Sequence, residues 1–119
     1  MKSGVNEFVL NKKVKEFIIV VESDIAYFPK KELVLKDLIL KDVYYILELI
    51  YNINYSYSDR TNDLYKLLSK LKMIDYYLFL SKEKGCLSYK RFLYLSRLLR
   101  DIIKISYGWL RSEKDKNKL

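Results

Sequence analysis

Hydrophobic side chains recur along this chain every three or four residues, which is the spacing of a helix that is buried on one face. Four segments follow this pattern, at residues 11–26, 30–56, 60–84 and 88–111, with short breakers between them. Because no single helix of this kind can bury its apolar stripe alone, the four must pack on one another. The pattern therefore predicts an all-α protein in which residues 1–111 form an up-down-up-down antiparallel four-helix bundle.

The breakers contain residues that end and begin helices. Pro29 disfavours helix at the preceding residue and fits the first turn of the next helix. Gly85 can take the left-handed conformation that ends a helix, and Ser88 is a natural N-cap for the fourth one. Residues 112–119 alternate in charge, and we expect this tail to fray. The second breaker holds three competent N-caps, between which the sequence does not choose: Ser58, Asp59 and Thr61.

The composition argues against an enzyme. The 119 residues include no histidine, and the single cysteine, Cys86, has no partner in the chain. The commonest general base, the usual metal-ligand sets and an internal disulfide are therefore absent. The three glycines are too scattered for a phosphate-binding loop. We predict no catalytic residue, no metal, no cofactor and no small-molecule substrate, and we interpret Cys86 as a passenger thiol.

No segment of the sequence has the character of a signal peptide or of a membrane span. Residues 1–15 lack an apolar core, and the apolar stretch of residues 43–53 is short and interrupted by Glu48. A basic amphipathic surface resting on an anionic membrane is an alternative, but the apolar stripes are continuous enough to be core. We therefore expect a cytoplasmic protein without membrane contact.

Half of the residues are hydrophobic, which is more than the interior of one bundle of this size requires. Exposed apolar surface of that extent is typical of a subunit interface, so the sequence predicts a homo-oligomer. The side chains that we expect near the surface lie outside the main stripes: Ile39, Tyr44, Ile46, Leu47, Ile50, Tyr51, Tyr76, Tyr77, Leu93, Leu98 and Ile102.

The fourth segment is strongly basic on one side. Four of its cations recur at heptad spacing from Lys90 to Arg111, so they stay on one side of a helix. The only acidic residue of this segment is Asp101. Its basic residues are Lys90, Arg91, Arg97, Arg100, Lys104 and Arg111. A cationic helix face suits the phosphates of a nucleic acid, and the alternative is a solvated face without a ligand.

Tyrosine is unusually frequent, with twelve residues in the chain. Exposed tyrosines can serve as stacking platforms for the bases of a single-stranded nucleic acid. The alternative is a compositional bias that enriches Tyr, Lys, Ile and Asn together.

Several short motifs follow one another in a recognisable order. They are Phe28-Pro29-Lys30, Leu49-Ile50-Tyr51 with Asn54-Tyr55, Lys84-Gly85, Ser88-Tyr89 and Tyr107-Gly108-Trp109-Leu110. Together they resemble a family of small bacterial four-helix-bundle proteins. That family contains the accessory variability determinant (Avd) of diversity-generating retroelements and related bundle proteins encoded by intervening sequences in 23S ribosomal RNA genes. The resemblance covers about residues 22–111.

The resemblance implies a pentamer of four-helix bundles, shaped like a barrel with a positively charged surface and a central channel. It also implies binding to nucleic acid and to a partner reverse transcriptase during mutagenic copying of a template RNA. Lys104 and Arg111 bracket the Gly-Trp pair and are similar to basic positions on the last helix of the family. The third helix departs from the retroelement members, since Asp75 and Phe79 stand where those members look arginine-bearing.

These features lead to one preferred hypothesis. We expect a non-catalytic accessory protein that binds RNA or DNA without sequence preference and docks a reverse transcriptase. The alternatives are an intervening-sequence-type bundle protein and a purely structural module whose basic face meets an acidic protein. Gly108 is expected to let a neighbouring helix approach while Trp109 anchors the contact. The full set of expected oligomer-interface residues is Tyr51, Tyr107, Gly108 and Trp109.

Overall fold

The protein is all-helical over the residues that its structure describes. A computed structural model describes the backbone of residues 2–56 and 58–117 and the side chains of residues 9–56 and 58–116. This part of the chain contains no strand, and none of its helices is both long and apolar enough to cross a membrane. The elements are α1 (Lys2–Ile25), a 3-10 helix (Lys30–Glu32), α2 (Leu33–Asn54), α3 (Thr61–Glu83) and α4 (Tyr89–Asn117).

Each α-helix packs against two others in a ring. α1 contacts α2 and α4, and α3 contacts the same two helices, so α2 and α4 lie diagonally opposite one another. Because short turns link consecutive helices, neighbours along the chain run antiparallel. The resulting bundle measures 51 × 23 × 20 Å. The predicted all-α, four-helix architecture is confirmed for the protomer.

The core extends along the bundle and follows the three- and four-residue spacing of the apolar side chains, although Leu38 on α2, which shares that spacing, is 36 % exposed. Burial of each aliphatic side chain stabilises the fold by about 1.5–3 kcal/mol before entropy losses. On α3 the side chains at this spacing are all buried: Leu64, Leu67, Leu68, Leu71, Ile74 and Leu78. Four residues that were predicted near the surface are also buried: Ile39, Ile46, Ile50 and Ile102. That prediction was wrong because each helix of a ring faces two neighbours and the bundle axis, so its buried arc is wider than one stripe.

Both terminal helices are longer than predicted. α1 begins at Lys2 rather than near residue 11, and Leu10, which precedes the predicted segment, is fully buried in the core. Residues 112–117 belong to α4 and do not form the predicted frayed tail. The physical reason is Glu113, a buried carboxylate that lies 3.6 Å from the Arg60 guanidinium and 3.1 Å from the Lys116 ammonium. The last two residues of the predicted tail lie outside the described part of the chain.

Two of the predicted breakers, Gly85 and Ser88, hold their expected roles. Gly85 has φ +79°, the left-handed conformation that ends α3. The Ser88 hydroxyl accepts a hydrogen bond of 3.1 Å from the backbone N–H of Arg91, so Ser88 caps α4. At the start of α3 the N-cap position is Arg60, which is none of the three predicted candidates, and the Asp59 carboxylate accepts a 2.9 Å hydrogen bond from the Thr61 backbone N–H. Asp59 therefore organises the turn into α3.

Candidate nucleic-acid interface

One side of α4 carries a row of exposed cations. The opposite side is anchored in the core by residues that include Leu95, Leu99 and Leu110, which directs the remaining positions outward. At 1.5 Å per residue, the row from its first to its last member is about 31 Å long. We call it the α4 cationic face, and its members are Lys90, Arg97, Arg100, Lys104 and Arg111.

No carboxylate neutralises this face within residues 9–56 and 58–116. None of its five side chains has an acidic oxygen of that part of the chain within 4.0 Å. Asp101 is exposed on the same side, one turn from Arg97 and from Lys104, but it pairs with neither. Members one heptad apart repel by about 0.4 kcal/mol in water, so an anion that contacts several of them relieves this repulsion.

Arg91 is distinct from the α4 cationic face, although the sequence grouped it there. Its Nη2 and Nε donate hydrogen bonds of 2.9 and 3.2 Å to the same oxygen of Asp24 on α1. Its guanidinium also lies 4.7 Å from the centroid of the Tyr94 ring. Arg91 thus joins α4 to α1 across the bundle surface. Its predicted phosphate contact stays a prediction, and the Asp24 carboxylate that already pairs with Arg91 competes with a phosphate for the same guanidinium.

Two tyrosines lie beside the α4 cationic face. Tyr94 is 41 % exposed and Tyr107 is 45 % exposed. Tyr94 has the Arg91 guanidinium over one side of its ring. The Tyr107 ring, by contrast, makes no aromatic, cation–π or hydrogen-bond contact with the described side chains. The face is therefore a mixed surface of cations and open aromatic rings.

Gly108 and Trp109 are neighbours with opposite environments. Gly108 is partly exposed, and a Cβ added there would meet no atom within 4 Å. Trp109 is 0 % exposed, and its Nε1 has no hydrogen-bond partner within the described part of the chain. The prediction that Trp109 anchors a subunit contact is corrected, because its indole is already enclosed by its own protomer. Gly108 opens onto solvent on the same side of α4 as Lys104 and Arg111.

A second exposed surface lies on α2, diagonally opposite α4. Tyr51, another predicted interface residue, belongs to it and is 38 % exposed. We call this surface the α2 apolar face, and its members share one side of the helix at spacings of three, four or seven residues: Leu33, Leu40, Tyr44, Leu47 and Tyr51. Tyr51 and Tyr107 therefore lie on opposite sides of one protomer. A subunit contact that includes both must join two different surfaces, as a ring-forming contact does.

Polar contacts join the α2 apolar face to α1. The Tyr44 hydroxyl donates a hydrogen bond to Glu22, and this bond raises the pKa of Tyr44 above its ordinary value, with smaller contributions from desolvation and from the Glu22 charge. The Lys15 ammonium lies 5.6 Å from the Tyr51 ring centroid. Hydrogen bonding to Lys15 and then to Asn11 lowers the pKa of Tyr51. The α2 tyrosines are therefore held over α1 and form a continuous surface with it.

A partly buried ion pair joins α2 to α3. Asp42 is largely buried among apolar residues, and its carboxylate lies 3.4 Å from the Lys70 ammonium. The same ammonium lies 5.5 Å from the Tyr45 ring centroid. The carboxylate thus pairs across the bundle with a cation of the neighbouring helix. Asp42 therefore contributes to the packing of α2 against α3, and nothing else in its described surroundings indicates a catalytic role.

Cys86 has the surroundings of an unreactive thiol. It is partly buried in the turn between α3 and α4. Burial raises the pKa of Cys86, and the nearby Glu32 carboxylate raises it further. A raised pKa lowers the fraction of thiolate, which is the nucleophilic form. In the described part of the chain no group of three or more potential metal ligands lies together.

No protein-family model matches the sequence, and no curated protein matches it. The family resemblance therefore depends on the quoted motifs alone, and the functions that it implies are proposals.

Proposed function

We propose that this protein is a non-catalytic accessory protein that binds nucleic acid through the α4 cationic face and docks a protein partner. The observation that carries the proposal is the row of five exposed cations without a carboxylate partner among the described residues. A net charge of +8 adds a long-range attraction for polyanions. The resemblance supports a reverse transcriptase of a diversity-generating retroelement as the protein partner. We propose that the two proteins bind one another in the cytoplasm.

Binding of this kind works through phosphates. Arginine guanidinium groups pair with phosphate oxygens in a fork, and lysine contributes a mobile point charge. Each contact releases a counterion, so affinity falls as salt rises. With roughly four contacts per subunit, we expect a log-log slope of affinity against salt near −3 or −4. Because phosphates are the same in every sequence, RNA and DNA of any sequence are candidate ligands.

The test is to replace Arg97, Lys104 and Arg111 together by Glu and to titrate mixed-sequence RNA and DNA at several salt concentrations. We expect the wild type to bind with a steep salt dependence and the triple variant not to bind, because its helix face repels phosphates. Circular dichroism should show unchanged helicity, since all three residues are exposed on α4.

A matched control distinguishes the contribution of the α4 cationic face from the contribution of the net charge of the protein. Replacing Lys30, Lys31 and Lys41 by Glu removes the same amount of positive charge from exposed positions outside α4. This control should retain most of the binding and lose only the long-range contribution. If the α4 variant binds as tightly as the control at physiological salt, the α4 cationic face is not the site.

The α2 apolar face favours a second role, self-association. It contains three partly or largely exposed aliphatic side chains and two tyrosines on one side of α2. Assembly through this face leaves the α4 cationic face of each subunit free, because the two helices are diagonal in the ring. A barrel-shaped homo-oligomer, with five subunits by resemblance, combines the two roles if the α2 apolar face of each subunit contacts a different surface of the next one, outside the α4 cationic face.

Two further alternatives follow from the same surfaces. A purely structural interaction module would show no salt-dependent binding to RNA or DNA. An intervening-sequence-type protein would be encoded within a 23S ribosomal RNA gene. A neighbouring reverse transcriptase gene with template and variable repeats would instead support the retroelement role.

A further inference from the structure

We infer that the α4 cationic face takes a single strand of nucleic acid, with the strand passing over Gly108 and a base stacked on Tyr107. The inference rests on the proposed nucleic-acid binding and adds the class of ligand. It depends on three features of the C-terminal half of α4, which are an unfilled glycine position, an open aromatic ring and flanking cations.

The glycine position has no explanation inside the protomer. Glycine is among the poorest residues for a helix interior, and alanine would be better there. A Cβ at Gly108 would meet nothing within 4 Å, so packing of the described chain does not require its absence. An uncovered stretch of helix backbone lets a ligand approach more closely than any side chain would allow. The position thus favours contact with something outside the protomer.

The flanking charges select the kind of ligand. Lys104 precedes Gly108 by four residues and Arg111 follows it by three, so both side chains lie on adjacent turns of the same side. Neither has a carboxylate partner among the described residues. A second copy of this chain that presented its own α4 cationic face here would be repelled. A phosphate backbone is attracted, and it is narrow enough to lie over the open position.

The tyrosine distinguishes a single strand from a duplex. Tyr107 immediately precedes Gly108 and is 45 % exposed, and its ring makes no aromatic, cation–π or hydrogen-bond contact with the described side chains. Stacking on such a ring needs the face of a base, which is free in a single strand. In a duplex the bases stack on one another and show only their edges in the grooves. Tyr107 therefore contributes to binding of a single strand alone.

The experiment compares single strands and duplexes of about 12 nucleotides, a length that exceeds the 31 Å row, by fluorescence anisotropy at fixed salt. A surface that binds nucleic acid through charge alone prefers the duplex, because the duplex has the higher charge density. We expect the reverse, with the single strand bound about tenfold more tightly through base stacking. Tyr107→Leu should lose about tenfold in affinity for the single strand and little for the duplex, and Tyr107→Phe should retain the wild-type preference.

Gly108→Gln tests the close approach. Glutamine favours helix and has no charge, so the variant should fold and yet lose single-strand affinity. Ser69→Gln on α3 and Tyr27→Leu in the turn after α1 change exposed positions outside α4 and should bind as the wild type does.

The outcomes separate the two proposals. Equal or tighter binding of the duplex, with Tyr107→Leu unchanged, would overturn the single-strand inference and leave nucleic-acid binding intact. Wild-type affinity of Gly108→Gln would likewise exclude a strand over Gly108. Absence of binding to either ligand would overturn the proposed function itself.

Discussion

Glu113 is the acidic residue with the largest structural role in the C-terminal part of the bundle. A carboxylate in the last turns of a helix is unfavourable next to the negative end of the helix dipole. Here it is 5 % exposed and paired with Arg60 from the α2–α3 connection and with Lys116 one turn later. These pairs offset the unfavourable position and hold the end of α4 against the loop. The role depends on contacts between distant segments rather than on local helix preference.

We expect Glu113→Ala to lower the free energy of unfolding by about 2 kcal/mol, because it removes charge-assisted contacts from a buried position. Thermal denaturation measures the loss, and helicity at low temperature should fall slightly as α4 shortens. Asp115→Ala is the control, since Asp115 is exposed and should change stability by no more than about 0.5 kcal/mol. Equal effects of the two variants would contradict the role given to Glu113.

At the scale of elements, two glycines serve opposite purposes. Gly85 ends α3 in a left-handed conformation that other residues adopt only with strain. Gly108 lies inside α4 with ordinary helical geometry and empty space around its Cα. The first glycine is required by the fold of the turn, whereas the second weakens the helix that contains it. This contrast supports the inference that Gly108 contributes to a ligand contact rather than to stability.

Alanine substitutions should therefore change stability in opposite directions. Gly85→Ala is expected to lower the free energy of unfolding by about 1 kcal/mol, because φ of +79° is strained for alanine. Gly108→Ala should raise it by about 0.8–1 kcal/mol through helix propensity. Denaturant midpoints with a common slope give both values. A loss of stability in Gly108→Ala would show that the glycine serves packing after all.

For the whole molecule, the ring order of the helices separates two kinds of surface. The α4 cationic face and the α2 apolar face belong to diagonal helices, so the partners that they favour approach from opposite directions. A protein with this arrangement can assemble through one side and bind a polyanion through the other. Trp109 contributes to neither surface, because it is enclosed within the protomer.

We expect light scattering to show an oligomer of the 14.4 kDa chain and Tyr51→Glu to shift it toward the monomer. The new carboxylate lies near Lys15, so the variant should keep its fold while placing a charge in the α2 apolar face. Tyr65→Glu on α3 is the matched control, an exposed tyrosine beside Lys114, and should stay assembled. Fluorescence of Trp109 should not change on dissociation.

A wild-type protein that is monomeric at all concentrations would contradict self-association. A red shift of Trp109 emission on dissociation would instead restore that residue to the subunit contact.

Much of the helical framework could be predicted from the sequence, because its determinants are local. Residues three and four apart share one face of a helix, so the stripe on α3 could be recognised without knowing what covers it. The same holds for Gly85, whose role as a helix end follows from its own conformational freedom. The row of cations on α4 also follows from spacing along one helix. The buried positions of α4 continue at helical spacing as far as Glu113. A hydrophobic pattern does not include this position, because the residue there is charged.

The tertiary structure decided what depends on partners from other helices. Asp24 removes Arg91 from the cationic row although 67 residues separate the two, and only the axial register of α1 against α4 places them together. Whether Ile46 and Trp109 are buried or exposed depends on how many helices pack against the helix that carries them. The spacing of hydrophobic residues along one helix gives no information about the number of its neighbours. Local spacing thus determined which side chains share a face. The packing of the four helices determined which of those faces are covered, paired or left open.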